Sequence, residues 1–130
     1  MVRPEHRLGC AALGELAERI ARLTPSDGVH GTAFAPLSVV RISQPTECMP
    51  AVYEPRLVIV AQGCKTATLA GQTYHYNPLN YLVVSVTLPV SGQVIEATPE
   101  EPYLCVRLDI DPDDVASLLV DAGQSPAPLP

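Results

Sequence analysis

The sequence predicts a mainly β fold, a small antiparallel β-barrel or jelly roll with a helix at each end. Three observations carry this. After residue 25 the chain is poor in helix formers, and its 14 prolines in 130 residues are about twice the usual frequency. From Leu37 onward, short apolar or alternating runs recur at regular spacing between turn residues. Before and after that region lie single segments of helical character. At 130 residues with 47% apolar side chains, one domain can bury a core.

Leu8 to Leu23 reads as the first helix. Leu13, Leu16, Ile20 and Leu23 recur on one face, and Glu15, Glu18, Arg19 and Arg22 take the other. The apolar stripe needs a partner, either the outside of the barrel or a second subunit, with the barrel favoured. Thr24-Pro25 ends the helix, because the residue before a proline resists the α region. Ser26-Asp27-Gly28 follows as a turn.

Leu37–Ile42 is the first expected strand, and Ala51–Tyr53 a short second one. Leu57–Ala61 is apolar on both faces and reads as a central strand. Gly63-Cys64 fits a two-residue hairpin turn leading into Lys65–Leu69, where Thr66 and Thr68 alternate with Ala67 and Leu69. Ala70-Gly71 turns the chain into Gln72–Tyr76, and Asn77-Pro78-Leu79-Asn80 turns it again into Tyr81–Val86. Pro89 is expected to break that strand, with Gln93–Ala97 resuming it. A wide turn at 98–102 leads to Tyr103–Ile110.

Asp111 then caps a helix over 112–122, with Pro112 in its first position and Val115, Leu118 and Leu119 on its apolar face. The remainder, 123–130, has linker composition. The expected organisation is therefore a single unit over 1–122, with an N-terminal helical segment to 25, a barrel over 36–110, a closing helix, and a linker. No internal repeat is present.

A net charge of -6 makes this chain a poor partner for phosphate backbones. It has no basic run for a membrane surface and no apolar window long enough to span one. Cys10, Cys48, Cys64 and Cys105 form no C-x-x-C pair, so each reads as a small buried apolar residue in a reducing, cytoplasmic setting. No secretory signal is read at the N-terminus.

Small barrels that do chemistry usually gather histidines and a carboxylate around a metal, as cupin enzymes do. With Gly63 closing the first such motif, the glutamate position falls on Arg56. The histidine positions fall on Pro50 and Val52, or on Met49 and Ala51. With Asn80 opening the second, its histidine falls near Ser91. His75 is thus a lone strand histidine, read as lying at the surface or hydrogen-bonded in place, and His6 and His30 are placed outside the barrel strands. No catalytic residue, metal or cofactor is expected, and the barrel is read as one that binds.

The segments ELAERIARLTPSDGVHGTAF, VYEPRLVIVAQGCKTATLAGQTYHYNP and YLVVSVTLPVSGQVIEATPEEPYLCVRLDID, in that order, resemble the N-terminal domain of AraC-type transcriptional regulators. The resemblance runs from about Glu15 to about Leu119. It implies a cupin-like barrel that binds an effector or dimerises. It also implies a helix-turn-helix domain beyond the linker that contacts DNA, so that DNA is a partner only through a domain absent from this chain. A homodimer and an unknown small-molecule effector are the other expected partners. The alternatives are a stand-alone metal-free cupin-like enzyme, of sugar epimerase or dioxygenase type, and a dimerisation module without effector.

Candidate effector contacts are polar groups on otherwise apolar strands. They are Tyr53 and Arg56 at the mouth, Gln62 at the end of a buried strand, Ser85, Gln93 and Arg107. Arg107 alternates with the apolar Leu104, Val106 and Leu108 beside Asp109, so it is read as facing outward, with Tyr103 and Cys105 on its face. An internal Arg107 would instead imply an anionic effector, because a buried arginine is costly without a partner. Tyr74 and Tyr76 are read as packing residues.

Overall fold

A computed structural model describes residues 2–3, 10–78, 80–111 and 113. It contains β1 (Val2–Arg3), α1 (Cys10–Leu23), β2 (Gly28–Gly31), β3 (Leu37–Ile42), β4 (Met49–Tyr53) and β5 (Arg56–Gln62). These are followed by β6 (Cys64–Leu69), β7 (Gln72–Tyr76), β8 (Tyr81–Val84), β9 (Leu88–Glu96) and β10 (Tyr103–Asp109). All strand pairs are antiparallel. They form a six-stranded sheet in the order β1-β8-β5-β10-β3-β2 and a four-stranded sheet in the order β4-β9-β6-β7.

The chain changes sheet at nearly every connection after β3, which is the habit of a jelly roll. The expected β architecture therefore stands. One core fills the space between the sheets. Val40, Val58, Val60, Leu82, Val84, Tyr103 and Cys105 come from the six-stranded sheet. Ala67, Tyr76, Val90 and Val94 meet them from the other. These inward residues alternate along their strands, as the period of a strand requires.

The helix behaves as its stripe predicts, with one change. Leu16, Ala17, Ile20 and Ala21 lie on Val39, Ala61, Leu104 and Val106, on the outer face of the six-stranded sheet. Leu23 is left exposed, while Thr24 is fully buried and its hydroxyl donates to the Ile20 carbonyl at 2.8 Å. That bond occupies a carbonyl the ending helix would otherwise leave open.

Several local expectations are corrected. Gly63-Cys64 is not a hairpin, because β5 pairs with β8 and β10 while β6 pairs with β7 and β9. Gly63 is instead the corner between sheets. Its φ is 86°, and a Cβ there would lie 2.6 Å from the Glu96 carbonyl oxygen and 2.9 Å from the Tyr103 Cα. The two-residue hairpin occurs at Ala70-Gly71, with φ of 50° and 80°, the signs a type I′ turn needs.

Pro89 does not break a strand but lies within β9 opposite Val52. Its missing N–H is tolerated because β6 pairs with β9 only from Ser91 onward. Gly28–Gly31, expected in part as a turn, is a strand on β3, so His30 lies in a strand after all. Asp27 pins that strand by accepting the Ser43 hydroxyl at 2.6 Å and the Ser43 N–H at 3.0 Å.

The helix expected over 112–122 and the linker over 123–130 fall outside the described residues. So do Cys10's side chain, His6 and Leu79. At the junction, the Asp111 carboxylate accepts the Asp113 N–H at 2.9 Å, the bond of an N-cap. Among the described residues no helix is long and apolar enough to cross a membrane.

Candidate functional site

At one end of the core the two sheets leave a cavity of about 310 Å³. Each wall follows from strand parity. On β10, Tyr103, Cys105 and Arg107 occupy alternate positions and face inward together. On β5, Arg56 is in phase with the core residue Val58. On β6, Lys65 is in phase with the core residue Ala67. Tyr76 comes from the end of β7, and Val40 from β3. Ala51, Val52 and Tyr53 of the edge strand β4 form the rim.

The outward reading of Arg107 is therefore corrected. Asp109, whose nearness suggested a surface pair, lies 3.7 Å from Arg56 Nε instead. That is an ion pair too long for a hydrogen bond. The Nε atoms of both Arg56 and Arg107 are buried without a hydrogen-bond partner. Burial, and then the like charge of Arg107, push Arg56 below the ordinary arginine range, with Asp109 acting in the other direction.

Aromatic hydroxyls complete the polar inventory. The Tyr53 and Tyr76 oxygens are 3.3 Å apart. Lys65 Nζ sits over the Tyr53 ring, 5.7 Å from its centre. Gly92 on β9 makes room for this arrangement, since a Cβ there would lie 2.6 Å from the Tyr53 hydroxyl and 3.4 Å from Lys65 Cε. Burial drives the Tyr76 phenol up, aided by Tyr53. Burial likewise holds Tyr103 well above the usual phenol range. Both therefore stay neutral hydrogen-bonding groups at ordinary pH.

Of the residues singled out from sequence, Tyr53, Arg56 and Arg107 meet in this cavity. Gln62 does not. Its side chain donates to the Pro102 carbonyl at 2.8 Å and borders a shallow groove beside α1. Ser85 is exposed just beyond the end of β8. Gln93 is half-buried and lies next to the inward Val94, outside the cavity lining.

Lys65, Tyr76, Tyr103 and Cys105 were missed as site residues. The signal for Lys65 was its phase with Ala67 and Leu69, the apolar side of its strand. Tyr76, taken as packing, is both buried and cavity-lining.

The cysteines divide. Cys64 and Cys105 are buried as expected, and burial pushes both thiols up, away from the reactive thiolate. Cys48 is exposed, contrary to the expectation for it. His75 is exposed, as read from sequence. Among the described residues no group of three or more His, Cys, Asp or Glu side chains is arranged to hold a metal ion.

Residues 33–129 match the family model described as AraC-type transcriptional regulator N-terminus. No curated protein gives a significant sequence match. Solved structures with similar chains include KdgF from Halomonas sp., at 16% identity and a TM-score of 0.43, covering 67% of this chain and 80% of that one. EutQ from Clostridium difficile is 12% identical with a TM-score of 0.37, over 85% of this chain and 75% of its own. A salicylate 1,2-dioxygenase from Pseudoaminobacter salicylatoxidans is 18% identical with a TM-score of 0.36, over 65% of this chain and 21% of its own.

Proposed function

This chain belongs to the family of AraC-type transcriptional regulator N-termini, and from that premise we propose that the cavity between its sheets receives the effector. The chain is a ligand-sensing regulatory domain of an AraC-type regulator. The observation that carries the effector site is the concave, mixed polar and apolar cavity, walled by both sheets and open at the β4 rim. At about 310 Å³ it lies at the small end of ligand pockets and suits a small metabolite.

The mechanism follows from where β10 leads. Tyr103, Cys105 and Arg107 face the cavity, and the same strand runs directly to Asp111, which caps Asp113. A ligand that engages Arg56 competes with Asp109, two residues before that cap. Binding would thus favour one arrangement of the segment that follows, by as much as the ligand's affinity differs between arrangements. In the regulator as a whole, the closing helix over 112–122 and the linker over 123–130 would pass this preference to a helix-turn-helix domain that contacts DNA. The regulator would act as a homodimer in the cytoplasm, and this domain would sense rather than catalyse. A chain of net charge -6 suits that division of labour.

A thermal-shift screen against a metabolite library tests the reading. A ligand present at 100 times its dissociation constant should stabilise the chain by about 2.7 kcal/mol. Replacing cavity residues such as Tyr53 should remove the shift. Metal-dependent turnover by the purified protein would overturn the reading in favour of an enzyme. Silence across the library would leave dimerisation without effector.

A further inference from the structure

We propose that the effector is a compact organic acid, its carboxylate held by Arg107 and Arg56 with Lys65 facing it from the opposite sheet. This rests on the effector-site reading above and specifies its chemistry. Among the described residues, three cations line the cavity and no acidic residue lines it with them. Among the described residues, the carboxylate in an ion pair with one of them is Asp109, 59% exposed and 3.7 Å from Arg56.

Two guanidinium groups held near each other repel, and each has a buried Nε–H without an acceptor. Both conditions are unfavourable, and a bound anion would relieve both at once. The guanidinium fork matches a carboxylate in plane and spacing. Tyr53 and Tyr76 share one hydrogen bond between their hydroxyls, and whichever of them accepts it keeps its own O–H to donate to the same group or to a second polar substituent.

The rest of the cavity argues for an organic body rather than a bare ion. Val40, Ala51, Val52 and Val58 supply apolar wall, and about 310 Å³ is more than an inorganic anion fills. Binding energy from burying carbon against these valines would add to the ion pair. Two arginines whose buried Nε–H groups have no acceptor are thus a site kept at a cost in stability for the sake of recognition.

The test is a matched panel. Benzoate, phenylacetate, succinate and other small carboxylates are compared with their amides, and with sulfate and inorganic phosphate, by thermal shift and calorimetry. At least one acid should bind, with its amide weaker by tenfold or more. Arg107→Gln should weaken that acid by about tenfold to a hundredfold. Without ligand, Arg107→Gln should melt at the wild-type temperature or above it, because the change removes a buried Nε–H that has no acceptor and a like charge beside Arg56. Lys65→Met supplies a second variant should the first fail to fold, and should also weaken the acid.

Amides that bind as well as acids would overturn the proposal, as would sulfate or phosphate binding as tightly as any organic acid. A lower melting temperature for ligand-free Arg107→Gln would assign that arginine a structural role and have the same effect. Binding by uncharged compounds alone would sink the acid but leave the effector site standing. No binding by any compound would remove both.

Discussion

On β10 the sequence offered two conflicting facts about Arg107. Its parity put it with Tyr103 and Cys105, while its neighbour Asp109 suggested a solvent-facing pair. Parity wins, because a strand cannot turn one side chain without turning its whole face. The same parity placed Arg56 with Val58 and Lys65 with Ala67. What parity cannot show is which inward positions lie at the open end of the core. Gln62 and Gln93 were singled out for polarity alone, and Ser85 for its place among valines. None of them lines the cavity.

Tyr103 carries a pH prediction. Its phenol is wholly buried, so its folded pKa is held well above the ordinary value of 10.0. Below about pH 10 the folded and unfolded forms are both neutral and nothing is lost. Above it the unfolded chain releases a proton that the folded chain retains, so stability falls as pH rises. Tyr103→Phe should therefore show a shallower alkaline loss than wild type, by up to about 1.4 kcal/mol per pH unit. Urea denaturation at a series of pH values between about 8 and 11 measures this. Identical slopes would contradict the burial argument.

Elements with a strong period were legible, and elements defined by their partners were not. The stripe of α1 correctly named Leu16 and Ile20 as seated residues. The strands β3, β5, β6, β7 and β10 fell within a residue or two of their expected bounds. Gly28–Gly31 was hidden because Val-His between two glycines is too short a run to show a strand period; its pairing with β3 and the Asp27–Ser43 bonds make it one. Gly63-Cys64 had the composition of a hairpin, but the conformational freedom of Gly63 serves a corner between sheets.

The helix and the cavity lie on opposite faces of the six-stranded sheet, and this separates their energetics. Ile20 is 2% exposed over Val39, Ala61 and Leu104. Ile20→Ala should cost about 2–5 kcal/mol, as buried isoleucines do when truncated. Affinity for a cavity ligand should change little while the chain remains folded. Urea unfolding and calorimetry on one preparation give both numbers, and a large affinity loss would mean that α1 takes part in the site.

At the scale of the molecule, a jelly roll protects most of its strands and opens one end. That open end carries the cations, while the chain as a whole is negative. On the reading proposed here, the domain would be a sensor whose reading surface is the pair of arginines lining the cavity. Arg41 provides an internal control, because its Nε is also buried without a partner but borders the groove beside α1. The most direct measurement is a proton–nitrogen correlation spectrum of the arginine Nε–H groups during titration with the strongest-binding acid. The resonances of Arg56 and Arg107 should move together and saturate at one ligand per chain, with Arg41 unmoved. Movement of Arg41 alone, or of none of the three while the acid binds, would place the ligand elsewhere and contradict the account.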